Sequence, residues 1–172
     1  MSYAPSFLDP IIENIPEDLK QQPWAVWVAE PRQGKPGKFD KAPRSPKTGQ
    51  KIGANKPELF GTFDEAVTAF KTDPRYTGIG ILLTGNGIVG FDLDDCNDLF
   101  GLRPDVQQWV VKVLDAGGYC ERSPSGNGLR IFTLGKLPAN GRKQGSLEIY
   151  DRDRFLTITG HVVNTEDLPW AH

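Results

Sequence analysis

Apolar residues fall into short stretches of two kinds along this chain, some with the every-second-residue spacing of a strand and some with the three-to-four spacing of a helix. Residues 25–30 (AVWVAE) have the aromatic and β-branched content of a strand, and the preceding PEDLKQQ at 16–22 fits one short helical turn. Thr62-Phe63-Asp64-Glu65 has the form of a capping box. The helix it opens runs to about Lys71, with Phe63, Ala66, Val67 and Phe70 on one face and Asp73-Pro74 as its stop. Gly78–Leu83 and Ile88–Asp94 are two further β-type runs. The Thr84-Gly85-Asn86-Gly87 between them predicts a tight hairpin, because Asn-Gly readily takes positive φ. Pro104–Ala116 (PDVQQWVVKVLDA) puts Val106, Trp109, Val110, Val113 and Leu114 on one helical face, with Pro in the first turn and Gly117 past the end. More strands are expected at Tyr119–Arg122, Leu129–Leu134 and Leu147–Tyr150, the last continuing through a turn at Asp151–Asp153 into Phe155–Thr159. This order predicts an α+β domain built on a largely antiparallel sheet flanked by helices.

With 172 residues and 38% hydrophobic content, the chain suits one domain. Its formal net charge of -2 argues against uniform attraction to nucleic acid, but the charge is unevenly placed. Between Pro31 and Lys56 stand Arg32, Lys35, Lys38, Lys41, Arg44, Lys47, Lys51 and Lys56 against the single acid Asp40. That stretch is rich in Gly, Pro and Lys and has no apolar period, so it reads as a long, basic, mobile connection over about 31–57. The N-terminus lacks the basic and apolar regions of a leader, and no apolar run approaches membrane-spanning length, so a soluble cytoplasmic protein with no membrane partner is expected. Cys96 and Cys120 sit in no C-x-x-C and the only histidines are His161 and His172, which gives neither a disulfide framework nor a metal pattern. Gly85–Gly90 matches G-x-G-x-x-G letter for letter. A dinucleotide fingerprint needs a helix to begin at the glycines, and here a strand follows.

The candidate chemistry starts in IVGFDLDD at 88–95. Side chains alternate across a strand, so Phe91 and Leu93 share one face and Asp92 and Asp94 the other, about 7 Å apart. The expected arrangement buries Phe91 and Leu93 under the helices and leaves both carboxylates on the open face, where a divalent cation relieves their repulsion. In LEIY at 147–150 the acid Glu148 lies between apolar residues, and in LRI at 129–131 Arg130 does the same. If those strands neighbour the first, Asp92, Asp94, Glu148 and Arg130 converge. Three carboxylates suit one or two Mg²⁺ or Mn²⁺ ions, and a guanidinium beside them suits phosphate oxygens. Ser123-Pro124-Ser125-Gly126-Asn127-Gly128, just before Arg130, is a small-residue loop that either lets a phosphate approach the backbone or is only a turn. Trp24 and Trp27 read as core.

Taken together, FDLDD, SPSGNGLRIF and EIYDRDRFLTITG resemble the three motifs of the archaeo-eukaryotic primase superfamily, in particular the primase-polymerase domains at the N-termini of phage and plasmid replication proteins. The resemblance extends over about Trp24 to Val163 and implies an RRM-like catalytic core. It implies catalytic and metal-binding roles for Asp92, Asp94 and Glu148, and nucleotide binding by Ser123, Ser125, Gly126, Asn127, Gly128 and Arg130. At Arg130 the family has a histidine. Arginine holds phosphate at least as firmly, but it cannot shuttle protons near neutral pH. The RFLTITG segment resembles family members in which this strand helps line the nucleotide site, implying Arg154, Thr157, Thr159 and His161; the alternative is a plain β-strand with one basic end. Beside such a site the basic segment is either a solvated loop or a contact to the template backbone through Lys38, Lys41, Arg44 and Lys47. The implied function is a template-dependent nucleotidyltransferase, a DNA primase or polymerase that uses two divalent metals, Mg²⁺ or Mn²⁺, to join nucleoside triphosphates on single-stranded DNA in phage or plasmid replication. Two other readings remain open: a catalytically silent nucleic-acid-binding module of a replication initiator, and a metal-dependent nuclease. Family members usually continue into a helical region and often a helicase. A single domain over 1–172 is therefore expected either to stand alone or to be the N-terminal piece of a longer protein, with a helical or helicase partner in cis or in trans.

Overall fold

The computed structural model describes residues 6–93, 104–137, 142–144 and 147–167, the backbone alone for 142–144. It is an α+β structure in which every strand pairs antiparallel with its neighbours. The strands divide into two sheets. The first is formed by β1 (Trp24–Pro31), β2 (Phe39–Arg44), β3 (Gly78–Thr84) and β9 (Arg152–Ile158), in the order β2-β1-β3-β9. The second comprises β4 (Ile88–Leu93), β5 (Tyr119–Arg122), β6 (Leu129–Leu134), β7 (Arg142–Gln144) and β8 (Leu147–Tyr150), in the order β5-β6-β4-β8-β7.

Among the described residues, three α-helices cover these sheets. The short α1 is Glu17–Lys20. The capping box of α2 (Phe63–Thr72) forms as expected, with Thr62 Oγ1 accepting from the Glu65 amide at 3.2 Å and Glu65 Oε1 accepting from the Thr62 amide at 3.0 Å. Its apolar stripe of Phe63, Ala66, Val67 and Phe70 joins Trp24, Val26, Ile79 and Ile81 of the first sheet. The third helix, α3 (Pro104–Asp115), sets Val110 among Val89, Phe91, Leu93, Leu129 and Ile131 of the second sheet, and the Trp109 ring meets Phe91 edge-on at 4.5 Å. Trp24 and Trp27 are core residues, as is Cys120. No helix among the described residues is long and apolar enough to cross a membrane.

The hairpin expected between Gly78 and Asp94 does not form, since β3 and β4 belong to different sheets. A type I′ turn needs positive φ at the asparagine. Among the described non-glycine residues only Asp153 has positive φ, so Asn86 does not adopt it; Gly85 (+82°) and Gly87 (+110°) bend the chain on either side of it instead. The Gly85 amide donates to Asp151 O, and Gly87 O accepts from the Gly135 amide, tying the two ends of the bend to different neighbours. The segment 31–57 also differs from expectation, because Phe39–Arg44 is a strand. Arg32 and Lys38 close the β1–β2 hairpin through Arg32 N to Lys38 O, and Ile52, with Ala54 against it, enters a small core with Ala25, Phe60 and Leu82. A few apolar anchors there outweigh the polar composition.

The two sheets meet face to face around Gly90. A Cβ at Gly90 would lie 2.5 Å from Leu156 Cδ1 and 3.2 Å from Leu83 Cδ1, both on the first sheet. Gly90→Val is therefore expected to destabilise the fold by about 2–3 kcal/mol through overpacking, read as a lower midpoint in urea with an unchanged slope.

Candidate active site

Strand register brings the predicted residues into one row. Across β5, β6, β4 and β8 the paired residues are Glu121↔Arg130, Arg130↔Asp92 and Asp92↔Glu148, and residues paired in this way project from the same face. Phe91 and Leu93 point the opposite way, under α3, as expected. The polar face is not open, however. Asp92 is 6% exposed, Arg130 6% and Glu148 8%, because the first sheet lies over this side of the second. One strand's alternation shows which side chains share a face; it does not show that a second sheet covers that face.

Burial of charge requires partners, and each charge in the row has them. Arg130 Nε donates to Asp92 Oδ1 at 3.4 Å, and its Nη1 donates to Thr157 O on β9 at 3.3 Å. Arg154 Nη2 donates to Glu148 Oε2 at 3.1 Å, the Tyr150 hydroxyl donates to the same oxygen at 3.0 Å, and the Arg154 guanidinium lies 4.6 Å from the Tyr150 ring centroid. The Arg154 side chain is 43% exposed against 7% for Arg130, so the row opens to solvent at the Glu148–Arg154 end and is closed towards Glu121.

The closed end contains an acid that the sequence pattern did not single out. Glu121 is fully buried and accepts from the Thr159 amide (2.9 Å), the Gly160 amide (2.9 Å) and the Tyr119 hydroxyl (2.7 Å). Burial pushes its carboxyl up, against the pull of those donors and of the Arg130 charge. Burial, with the Glu121 charge beside it, raises the Tyr119 phenol as well. The only signal in the sequence is an acid inside a short strand, YCER, next to the small-residue loop.

Ser123–Gly128 is the tight connection between β5 and β6. Gly128 N donates to Ser123 Oγ, Asn127 N to Ser125 Oγ and Gly126 N to Ser123 O, so these three amides are engaged within the loop. Gly128 also lets the loop pass close to β4, since a Cβ there would lie 2.7 Å from Leu93 O. Thr159 Oγ1 donates to Arg122 O, and His161 Nε2 donates to Asp9 O at 2.6 Å. Thr159 and His161 thus fasten β9, β5 and the N-terminal segment together next to the loop.

Asp94 lies outside the described residues. Among the described residues no group of three or more His, Cys, Asp or Glu side chains is gathered to hold a metal ion. Asp92 and Glu148 remain as a cross-strand pair of carboxylates, hard oxygen donors of the kind that suits Mg²⁺ or Mn²⁺. The basic segment stands apart from them. β2 is the edge of the first sheet opposite β9, three strand spacings or about 14 Å away. There Arg44 donates to Glu30 and to Gly49 O, which turns it into the hairpin, whereas Lys38 and Lys47 are exposed.

No protein-family model matches the chain. The chain is 31% identical over 154 residues to a DNA primase-polymerase of Nitratiruptor phage NrS-1, and the alignment covers 84% of this chain. It takes in 20% of the phage protein, so the chain spans about a fifth of that relative's length. This similarity relates the chain to a primase-polymerase.

The turn that connects Glu148 to Arg154 depends on Asp151. Its carboxylate takes both Arg152 Nε (2.8 Å) and Nη2 (3.0 Å) as well as the Leu137 amide (2.9 Å), and the Arg152 guanidinium foremost holds its carboxyl down at about 2. A depressed folded-state value stabilises the fold above the unfolded carboxyl range and is lost as pH falls through the folded value. The stability gap between the native chain and Asp151→Asn is expected to be full above about pH 5 and to close towards pH 2. Parallel acid-unfolding curves would test this.

Proposed function

We propose that the chain is the catalytic core of a template-dependent nucleotidyltransferase, a DNA primase or polymerase acting on single-stranded DNA with nucleoside triphosphates. The observation that carries this reading is the cross-strand alignment of Glu148, Asp92 and Arg130, within a chain related to a phage primase-polymerase. Asp92 and Glu148, with Asp94, would hold Mg²⁺ or Mn²⁺, which when bound supplies charge neutralisation at the triphosphate and activates a 3'-hydroxyl for in-line attack.

The remaining work falls to side chains. Arg130 grips phosphate oxygens with the guanidinium edge it now turns to Asp92, and Arg154 does so from the solvent end of the row. The loop Ser123, Ser125, Gly126, Asn127 and Gly128 shapes the wall beside Arg130, and Thr159 and His161 hold that wall to β9. A guanidinium is no proton shuttle, so the part of Arg130 is to bind and orient. Lys38, Lys41, Arg44 and Lys47 would meet the template backbone, with Lys38 and Lys47 the most exposed of these cations and Arg44 shaping the hairpin. A specific observation favours a second reading, the silent nucleic-acid-binding module: both described acids are neutralised by arginines of the same chain.

Incorporation of labelled nucleotides on single-stranded DNA, with and without an annealed primer, separates the two readings. Product that requires Mg²⁺ or Mn²⁺, disappears with EDTA and falls at least about a hundredfold in Asp92→Asn supports the polymerase. DNA binding without product supports the silent module, and strand cleavage without triphosphate binding supports a nuclease. For the template, the double substitution Lys38→Ala, Lys47→Ala is expected to weaken single-stranded DNA binding several-fold at low salt. It should also lower the slope of log affinity against log salt by about 0.7 for each backbone phosphate that is no longer neutralised.

A further inference from the structure

Glu121 occupies the one position in the charged row with no route to solvent. It is fully buried, and its two oxygens satisfy three donors from two elements: the Thr159 and Gly160 amides at the end of β9, and the Tyr119 hydroxyl on its own strand. It is also the cross-strand neighbour of Arg130 on the side away from Asp92. Arg130 in turn reaches β9 two residues before Thr159, through Thr157 O. One carboxylate therefore fixes the backbone beside the carbonyl to which the guanidinium is hydrogen-bonded, and its charge acts on that guanidinium from the neighbouring strand without touching it.

Gly160 shows how closely this corner is drawn in. It adopts φ of +70°, and a Cβ would collide with the Ile11 carbonyl, while the Ile11 amide donates to Thr159 O. The Thr159–Gly160 turn is thus gripped by the N-terminal segment on one side and by Glu121 on the other. A carboxylate needed only to fill space could be replaced by an apolar side chain at little cost, but here three donors would be left unpaired.

Resting on the reading of Arg130 as a phosphate ligand, we propose that Glu121 is a positioning residue for triphosphate binding. It supplies the counter-charge that holds the Arg130 guanidinium in register when Arg130 releases Asp92 and turns to phosphate, and it fixes the Thr159–Gly160 backbone behind that guanidinium. The pairing with Asp92 is long, at 3.4 Å, and is the one given up on binding. Glu121 has no comparable alternative partner and stays in place.

The test is equilibrium binding of a fluorescent nucleoside triphosphate to the full chain with Mg²⁺, measured beside the thermal midpoint. Glu121→Gln keeps the shape but removes the charge and turns an amide towards a backbone donor; it is expected to raise Kd roughly tenfold. Tyr119→Phe removes a single donor and keeps the charge, and should raise Kd about two- to threefold, which provides a milder variant if Glu121→Gln fails to fold. Arg130→Ala should raise Kd at least as much as Glu121→Gln. The double variant Glu121→Gln, Arg130→Ala should bind within about twofold of Arg130→Ala alone, because the two residues act through one guanidinium. A lowered midpoint with Kd unchanged in both Glu121→Gln and Tyr119→Phe would overturn the inference and leave Arg130 as a phosphate ligand. Losses that multiply in the double variant would overturn it too. A native chain that binds no triphosphate would overturn the reading of Arg130 itself, and the inference with it.

Discussion

The structure depends on one constraint: a row of charged side chains is shut between two sheets, and each must be partnered where it stands. Glu121, Arg130, Asp92 and Glu148 alternate poorly in sign, with two acids side by side on β4 and β8. The arrangement holds because arginines enter from two directions, Arg130 from within the row and Arg154 from β9. A slip of one residue in any of these four strands would turn its charge away from its partners and towards the apolar side, so the buried charges constrain register alongside the packing. The other end of the same interface is apolar, with Leu83, Leu156, Ile88 and Phe132 in contact, and this end provides the adhesion that the polar end lacks.

Much of this was legible in the chain. The capping box of α2, the amphipathic α3 and the positions of β1, β5, β6, β8 and most of β9 follow from local chemistry, which the tertiary structure leaves unchanged. What was not legible is pairing. Asn-Gly between two apolar runs favours a hairpin when nothing else competes, but here β1 and β9 flank β3 while β6 and β8 flank β4, leaving the hairpin partners no free edge. The strand Phe39–Arg44 was hidden for a similar reason: its stability comes from six residues of register with β1, and no apolar period of its own marks it.

The candidate site was legible by residue type more than by environment. Alternation correctly put Asp92 and Phe91 on opposite faces, and the recurrence of an isolated charge between apolar neighbours correctly linked Arg130 and Glu148 to Asp92. The expected exposure was wrong, because whether a face is open depends on a sheet whose strands come from distant parts of the chain. Glu121 was missed because its partners are backbone amides nearly forty residues away, and amides carry no sequence signature. Arg44 shows the same gap between type and environment: a cation whose type suits a phosphate is paired in the fold with Glu30 on the neighbouring strand.

The division of strands between the sheets has a kinetic consequence. The second sheet is drawn from one continuous stretch, β4 to β8, that leaves the first sheet after β3 and returns to it at β9. Its two ends are clasped where the Gly85 amide meets Asp151 O and where Thr84 lies opposite Arg152. If β3 found β9 while that stretch was still loose, closing so large a loop would carry an entropic penalty on the order of 3–4 kcal/mol. If the stretch folds first, it brings residues 84 and 152 together itself, and β9 arrives with its neighbour already at hand. Pairing β4 with β8 closes a loop nearly as long, between Leu93 and Leu147, so the cost is met once for both sheets: completing either one brings the strands of the other within reach.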